Sequence, residues 1–350
     1  MTAPTNALQR QRIRLYLRIL AYGAAIGGVF GAFLAPAGTA AATSVLIGAA
    51  NAVLIAGCIA GIETFVLREG SSMRRLARLP FVAVVALKTL GYGGIIATLI
   101  VGTQFLARLL PRAGHAVPIE RDDTLVIIGF SLAMTAIFVT VLQVVALLGR
   151  RTFRNLVLGR YRQPRAERRF FLFVDVVGST AIAERLGPLQ AHRFLAAVFS
   201  ATAEPVAACR GEIYQYIGDE IVVTWTEEEG KPEGRPLRCF FLMEEALLQC
   251  KEQFRAEFSA EPGLRAALHL GEVIAGEVGE ARRAIVFHGD VMNTASRLEQ
   301  ATRDLGVRFI ASEDALRALG AQADMEFADL GALSLRGRKE PIKAYCVVPA

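Results

Sequence analysis

The sequence predicts two structural classes in one chain: an α-helical membrane domain with four transmembrane helices, followed by a soluble α+β domain. Three observations carry this reading. Hydrophobic residues make up 53% of the chain, yet the long apolar runs are concentrated before residue 148. Arginines gather at alternate ends of those runs, as membrane topology requires. Beyond Arg169, short strand-like runs alternate with helical patterns, the mark of a sheet with helices packed on it.

A bilayer core takes roughly 20 apolar residues per helix, and four runs meet that length, at about 15–34, 44–67, 80–106 and 124–148. Arg10, Arg12, Arg14 and Arg18 flank the start of the first run. Arg68, Arg74, Arg75 and Arg78 fill the link between the second and third, and Arg150, Arg151 and Arg154 follow the fourth. The link after the first run, APAGTAAAT, is uncharged; the link after the third sets Glu120, Asp122 and Asp123 beside Arg112 and Arg121. The positive-inside rule therefore puts both termini and the soluble domain in the cytoplasm, in a multi-pass protein of the cell (inner) membrane. A secretory signal peptide fits the first run less well, because three more spans follow it. Glu63 and Lys88 fall in the cytoplasmic halves of the second and third runs, where they either pair or snorkel to the interface. Gly23, Gly27 and Gly31 recur at a spacing that permits close helix contact, including contact between protomers.

The net charge of +6 could point to nucleic acid, but the arginine excess lies beside the spans, so no nucleic-acid partner is expected. The five cysteines form no CxxC pair and the four histidines no HxxxH pair, which argues against a zinc site. The expected domains are a membrane domain at 1–148, a basic juxtamembrane linker at 149–169 and a soluble domain at 170–350. The linker suits an anionic lipid surface and is the covalent route by which a membrane signal reaches the soluble domain.

In the soluble part, 170–176 reads as a buried strand, and Pro188 suits the first position of a helix. Two strand-like runs, 212–217 and 220–226, join at Gly218-Asp219, a tight-hairpin signal. After the loop EEEGKPEGRP come a helix at about 237–258, strand-like runs at 264–270 and 272–278, and a helix at about 290–305. The glycine-rich GEVIAGEVG lacks the GK[ST] ending of a P-loop.

Three motifs carry chemistry: FFLFVDVVGST, YQYIGDE and HGDVMNTASR. Asp175 ends a strand before a Gly-Ser-Thr turn, and Asp219 sits in a hairpin. Each alone reads as a cap or turn residue. Together they can share magnesium ions, which bind few carboxylates and keep positions for phosphate oxygens. Asn293 and Arg297 lie four apart, on one helix face. A guanidinium there supplies a fixed cation with directed donors where negative charge grows.

In this order the motifs resemble the catalytic domain of class III adenylate and guanylate cyclases, over about 170–348. The resemblance implies a ferredoxin-like α+β sheet with additions, and a membrane-bound bacterial-type cyclase with an N-terminal four-helix membrane domain. It implies two metal ions (Mg2+ or Mn2+) on Asp175, Asp219 and the carbonyl of Val176, with the amides of Val177, Gly178, Ser179 and Thr180 facing phosphate. Asn293 would orient the ribose and Arg297 would stabilise the α-phosphate. In LRGRKEP, Arg336 aligns best with the residue that contacts the terminal phosphates, and Arg338 is a second candidate. Family members of this kind act as homodimers with shared sites and make 3′,5′-cyclic AMP and pyrophosphate from ATP. The purine-reading positions depart from the pattern: adenylate cyclases typically carry lysine where this chain has Gln215, and aspartate, threonine or serine where it has Val286. A guanylate or relaxed-specificity cyclase, and a nucleotide-binding membrane sensor without turnover, therefore stay open as alternatives.

Overall fold

A computed structural model of the chain describes residues 4–33, 41–62, 79–109, 121–280, 283–338 and 340–350. It divides into two compact units, Met1–Phe153 and Arg154–Ala350.

The first unit contains helices α1 (Pro4–Phe33), α2 (Ala41–Gly61), α3 (Phe81–Leu109) and α4 (Arg121–Leu148). Among the described residues, three stretches are long and apolar enough to cross a membrane: Tyr16–Phe33, Ser44–Gly61 and Phe81–Gly102. The fourth span, expected at 124–148, falls in α4. It meets the same test only when Thr135–Leu148 and Arg151–Val157 are taken together as one broken span. Ile26, Val29 and Phe33 on α1 and Val82 and Leu90 on α3 stay exposed, an apolar surface that suits hydrocarbon better than water. The glycine repeat is used within the chain: a Cβ on Gly27 would collide with Ala52 and the Gly48 carbonyl, and one on Gly31 with the Ser44 carbonyl. Small residues thus let α1 and α2 lie backbone to backbone. Glu63 lies outside the described residues, and with it the expected pairing to Lys88.

The second unit opens with helix α5 (Arg150–Val157, whose first residues precede the division) and strand β1 (Arg165–Val176). Helices α6 (Ser179–Leu186) and α7 (Pro188–Ala208) lead to the hairpin β2 (Glu212–Ile217) and β3 (Glu220–Thr226). Two short turns of helix precede α8 (Arg235–Gln249) and α9 (Lys251–Phe258). Then come β4 (Leu264–Val278), β5 (Ala284–His288), α10 (Asp290–Leu305), β6 (Phe309–Ser312), α11 (Glu313–Leu319), β7 (Met325–Leu333) and β8 (Ile342–Pro349). The strands form one mixed sheet ordered β2-β3-β1-β4-β6-β8-β7, with β5 pairing the far part of β4. Among the described residues only β4 and β6 run parallel; the other pairs are antiparallel.

β1 is central and buried on both faces, which is why its apolar residues are continuous rather than alternating. Phe170, Leu172 and Val174 pack with Phe194 and Val198 of α7 and with Phe240 and Met243 of α8. Phe171 and Phe173 pack on the other face with Phe287, Val291 and Ala295. The hairpin and α10 have the bounds expected from sequence; three other elements differ. β1 starts at Arg165, five residues before the expected 170, because Arg169 is an internal residue with no exposed surface. Its guanidinium donates to Glu167 (2.9 Å), Thr224 (3.1 Å) and Glu212 (3.2 Å) and lies 4.6 Å from the Phe287 ring centroid. β4 is one unbroken strand through Gly271, whose missing side chain makes room for Val291 of α10. The expected helix at 237–258 breaks at Cys250 into α8 and α9.

His269 on β4 is almost fully buried, its Nδ1 2.8 Å from the Ser312 hydroxyl. Ser312 Oγ also accepts the Ala315 amide at 3.3 Å. Burial lowers the His269 pKa to about 4, with Arg338 acting in the same direction and Asp314 and Asp290 opposing. An unfolded chain takes up a proton below its ordinary value near 6.5 while the folded one does not. The His269 contribution to stability should therefore fall as pH drops through this window, by about 1.4 kcal/mol per pH unit at most. Buried carboxyl groups with raised pKa values, Glu220 foremost, act in the opposite direction over the same range, so the effect is read as a difference: in denaturant titrations the wild type should lose stability relative to His269→Gln between pH 7 and pH 5.

Candidate active site

The register of β1 places Asp175 opposite Glu220 on β3 and Arg265 on β4. Gly218, in the left-handed region at φ 64°, closes the β2–β3 hairpin and presents Asp219 beside Asp175. The Asp219 charge acts on Asp175 and helps raise its pKa. The Ser179 hydroxyl, at the start of α6, donates to Asp219 Oδ2. Asp175 is buried, and its Oδ2 accepts two guanidinium donors, Arg265 Nη2 and Arg303 Nη2, each at 2.9 Å. Glu299, one turn before Arg303 on α10, completes the cluster from behind.

Four carboxyl groups thus crowd around two guanidiniums. Burial raises the Asp175 pKa, the Arg265 hydrogen bond opposes this, and the charge of Asp219 adds to it. Glu220 is pushed up to about 7 by burial and by Glu299, Asp175 and Asp219. Glu299 is raised by burial and then by Asp175. Among the described residues, the buried oxygens Glu220 Oε1 and Glu299 Oε1 have no hydrogen-bond partner. Such a cluster is electrostatically suited to added cations. No group of three or more His, Cys, Asp or Glu side chains is arranged to hold a metal among the described residues. Two close carboxylates plus a backbone carbonyl fit magnesium, which retains waters and phosphate oxygens in its shell.

Past Val176, Gly178 at φ 71° turns the chain into α6. The Val177 amide already donates to the Gly263 carbonyl at 2.9 Å, which corrects the expectation that it faces phosphate. The Gly178, Ser179 and Thr180 amides stand at the opening of the helix.

Asn293 and Arg297 form a second group. Asn293 is exposed and Arg297 half-buried beside Gly337, and among the described residues neither makes a hydrogen bond or an ion pair. Arg338 joins them from the β7–β8 connection: Nη1 donates to Asp290 Oδ2 and Thr294 Oγ1, both at 2.6 Å. Arg336 is exposed. Asn293 precedes Arg303, the α10 residue that touches Asp175, by ten positions, about 15 Å along the helix axis. Arg297 precedes it by six, and among the described residues neither Asn293 nor Arg297 makes a hydrogen bond or ion pair with Asp175 or Asp219. Gln215 is half-buried on β2 opposite Val222, just past a bulge, and Val286 lies on β5 opposite Gly276. Their neighbours Tyr214 and Phe287 bring β2 and β5 together, with ring centroids 4.9 Å apart.

Sequence reading missed Glu220, Arg265, Glu299 and Arg303. Glu299 and Arg303 have the spacing of an ordinary surface helix pair. Arg265 reaches Asp175 only through the β1–β4 register, which no local pattern reveals.

Residues 163–349 match the family described as the adenylate and guanylate cyclase catalytic domain. Over 213 residues the chain is 37% identical to "Adenylate cyclase 2" of Rhizobium meliloti (strain 1021), covering 61% of this chain and 59% of that protein. It is 32% identical over 182 residues to "Adenylate cyclase 1" of the same organism, covering 51% of this chain and 27% of that one. The chain thus aligns with less than two thirds of the length of either relative. The crystal structure of the adenylyl cyclase CyaB from P. aeruginosa superposes with a TM-score of 0.46 at 19% identity, over 54% of this chain and 97% of that one.

Proposed function

Because the chain belongs to the family of adenylate and guanylate cyclase catalytic domains, we propose that it is a membrane-bound adenylate cyclase acting as a homodimer. The substrate is ATP, and the products are 3′,5′-cyclic AMP and pyrophosphate. The observation that carries this reading is the register that sets Asp175, at the end of β1, opposite Glu220, the residue that follows Asp219 out of the β2–β3 turn.

In the proposed reaction the ribose 3′-oxygen attacks the α-phosphorus in line, and the bond to the β-phosphate oxygen breaks. Two divalent ions, Mg2+ or Mn2+, would supply Lewis-acid activation of the 3′-hydroxyl and neutralise the triphosphate. Asp175, Asp219 and the Val176 carbonyl would hold them, and the Ser179 hydroxyl fixes the rotamer of Asp219. The Gly178, Ser179 and Thr180 amides receive phosphate oxygens. Asn293 orients the ribose, Arg297 opposes the charge that grows on the α-phosphate, and Arg336 and Arg338 face the terminal phosphates. Since Asp175 and Asp219 pair with Arg265, Arg303 and Ser179 of their own chain and not with Asn293 or Arg297, each complete site takes its aspartates from one protomer and its Asn/Arg pair from the other, giving two equivalent sites. Residues 1–148 form a four-span membrane domain with both termini cytoplasmic, 149–169 the transducing linker and 170–350 the catalytic domain.

A second reading, a guanylate or relaxed-specificity cyclase, is favoured by Gln215 and Val286, since the valine side chain can neither donate to nor accept from a purine. Product identification from full-length protein with Mn2+ decides. Cyclic AMP and pyrophosphate from ATP support the first reading, and preferential cyclic GMP from GTP supports the second. No product from either nucleotide favours a sensor without turnover.

A further inference from the structure

Asp175 Oδ2 is claimed twice. It accepts Arg265 Nη2 and Arg303 Nη2, both at 2.9 Å, from two different elements. A carboxylate oxygen offers about two lone-pair directions, so two guanidinium donors leave it none for a cation. If Asp175 binds a divalent ion through Oδ2, one arginine has to leave.

The surroundings single out Arg303. Its side chain is 51% exposed, against 19% for Arg265, so it loses less packing by moving. Both arginines border a cavity of about 350 Å³, also lined by Val177, Gly263 and Arg308, and the more exposed Arg303 has the freer path into it. A new acceptor is already beside it. Glu299 Oε1, on a side chain only 6% exposed and without a hydrogen-bond partner, lies 3.7 Å from Arg303 Nε, one turn back on the same helix. A shift of about 1 Å turns that approach into a charge-assisted hydrogen bond of ordinary length.

We propose that Arg303 is a positioning residue that shields Asp175 and transfers to Glu299 when a divalent cation takes Asp175 Oδ2. Glu299 is then the counter-acceptor, and metal entry and the Arg303 shift form one exchange of partners. This rests on the reading of Asp175 as a metal ligand. It adds an internal competitor that sets how much free metal the site needs. Two carboxylates and two arginines divide their pairing in two ways, and the ion selects between them.

The test is an Mn2+ titration of the detergent-solubilised full-length protein without nucleotide, followed by electron paramagnetic resonance. Arg303→Gln should bind Mn2+ about tenfold more tightly than the wild type and Glu299→Gln about tenfold more weakly. Arg308→Gln, which removes a cavity arginine paired to Glu244 rather than to Asp175, should stay within about twofold. A direct field effect of Glu299 on the ion would be the same with or without Arg303. Exchange of partners instead requires coupling, so in the Arg303→Gln background the Glu299→Gln effect should shrink to about threefold or less. Wild-type affinity in Arg303→Gln, equal gains in Arg303→Gln and Arg308→Gln, or strictly multiplicative effects in the double variant would overturn the proposal. Arg303 is half-exposed, so its single variant can still overturn the shielding of Asp175 if Glu299→Gln fails to fold, and Glu299→Asp, which shortens the acceptor, then reads the coupling. If the wild type shows no saturable Mn2+ binding, the metal reading falls and the exchange with it; saturable binding without the coupling removes the exchange alone.

Discussion

Replacing Asp175 by asparagine should lower the rate of cyclic AMP formation by at least about 1,000-fold, a loss of roughly 4 kcal/mol of transition-state stabilisation. The same change should leave the folded protein at least as stable as the wild type. These two expectations separate a functional carboxylate from a structural one. Asp175 is buried, and although Arg265 and Arg303 both donate to it, its pKa is raised above the ordinary carboxylate value, chiefly by burial. A raised carboxyl pKa means that the folded state holds the proton more tightly than the unfolded state does. Once pH exceeds both values, ionisation of Asp175 costs folding free energy. Asparagine removes that cost while keeping the size and one oxygen acceptor. Initial rates with Mn2+ and ATP, set beside chemical denaturation of the same samples, check both halves. Equal activity, or a drop of several kcal/mol in stability with little change in rate, would return Asp175 to the role of a structural ion-pair partner.

The second large effect is a rescue. Asp175→Ala and Arg297→Ala should each be nearly inactive alone, because every site in such a homodimer lacks one essential group. When the two chains are co-expressed and mix at random, half the dimers are mixed, and each mixed dimer has one of its two sites whole. The expected activity is therefore about one quarter of the wild-type value. The physical basis is the layout of α10 within one chain: Arg303 reaches Asp175, while Asn293 sits ten residues and Arg297 six residues earlier on the helix. Activity no higher than the sum of the separate variants, with mixed dimers demonstrated by differential tags, would exclude a site shared in this way.

How much of this was legible in the sequence varied with how local the signal was. The β2–β3 hairpin and α10 follow directly from short-range chemistry: Gly218-Asp219 supplies the tight turn, and Gly289 and Gly306 bracket the helix. Asp175 and Asp219 could be named for the same reason, since both stand at strand-to-turn junctions. Arg169 misled the reading of β1, because a charged residue next to an apolar run looks like a flank. Only the tertiary fold brings Glu167, Glu212 and Thr224 to its guanidinium. Gly271 misled in the opposite direction, separating two strand-like runs where its missing side chain admits Val291 to a continuous strand. The ring of Arg265, Glu299, Arg303 and Glu220 around Asp175 had no local signature at all. It arises from the β1–β4 register and from the packing of α10 on the sheet.

The most direct test is to locate Mn2+ by its anomalous scattering in crystals of the protein soaked with the ion and a non-cyclisable ATP analogue. The account predicts an anomalous peak bridging carboxylate oxygens of Asp175 and Asp219, in contact with the analogue's phosphates. An ion that contacts only one of these carboxylates, or a triphosphate seated away from both, would contradict it.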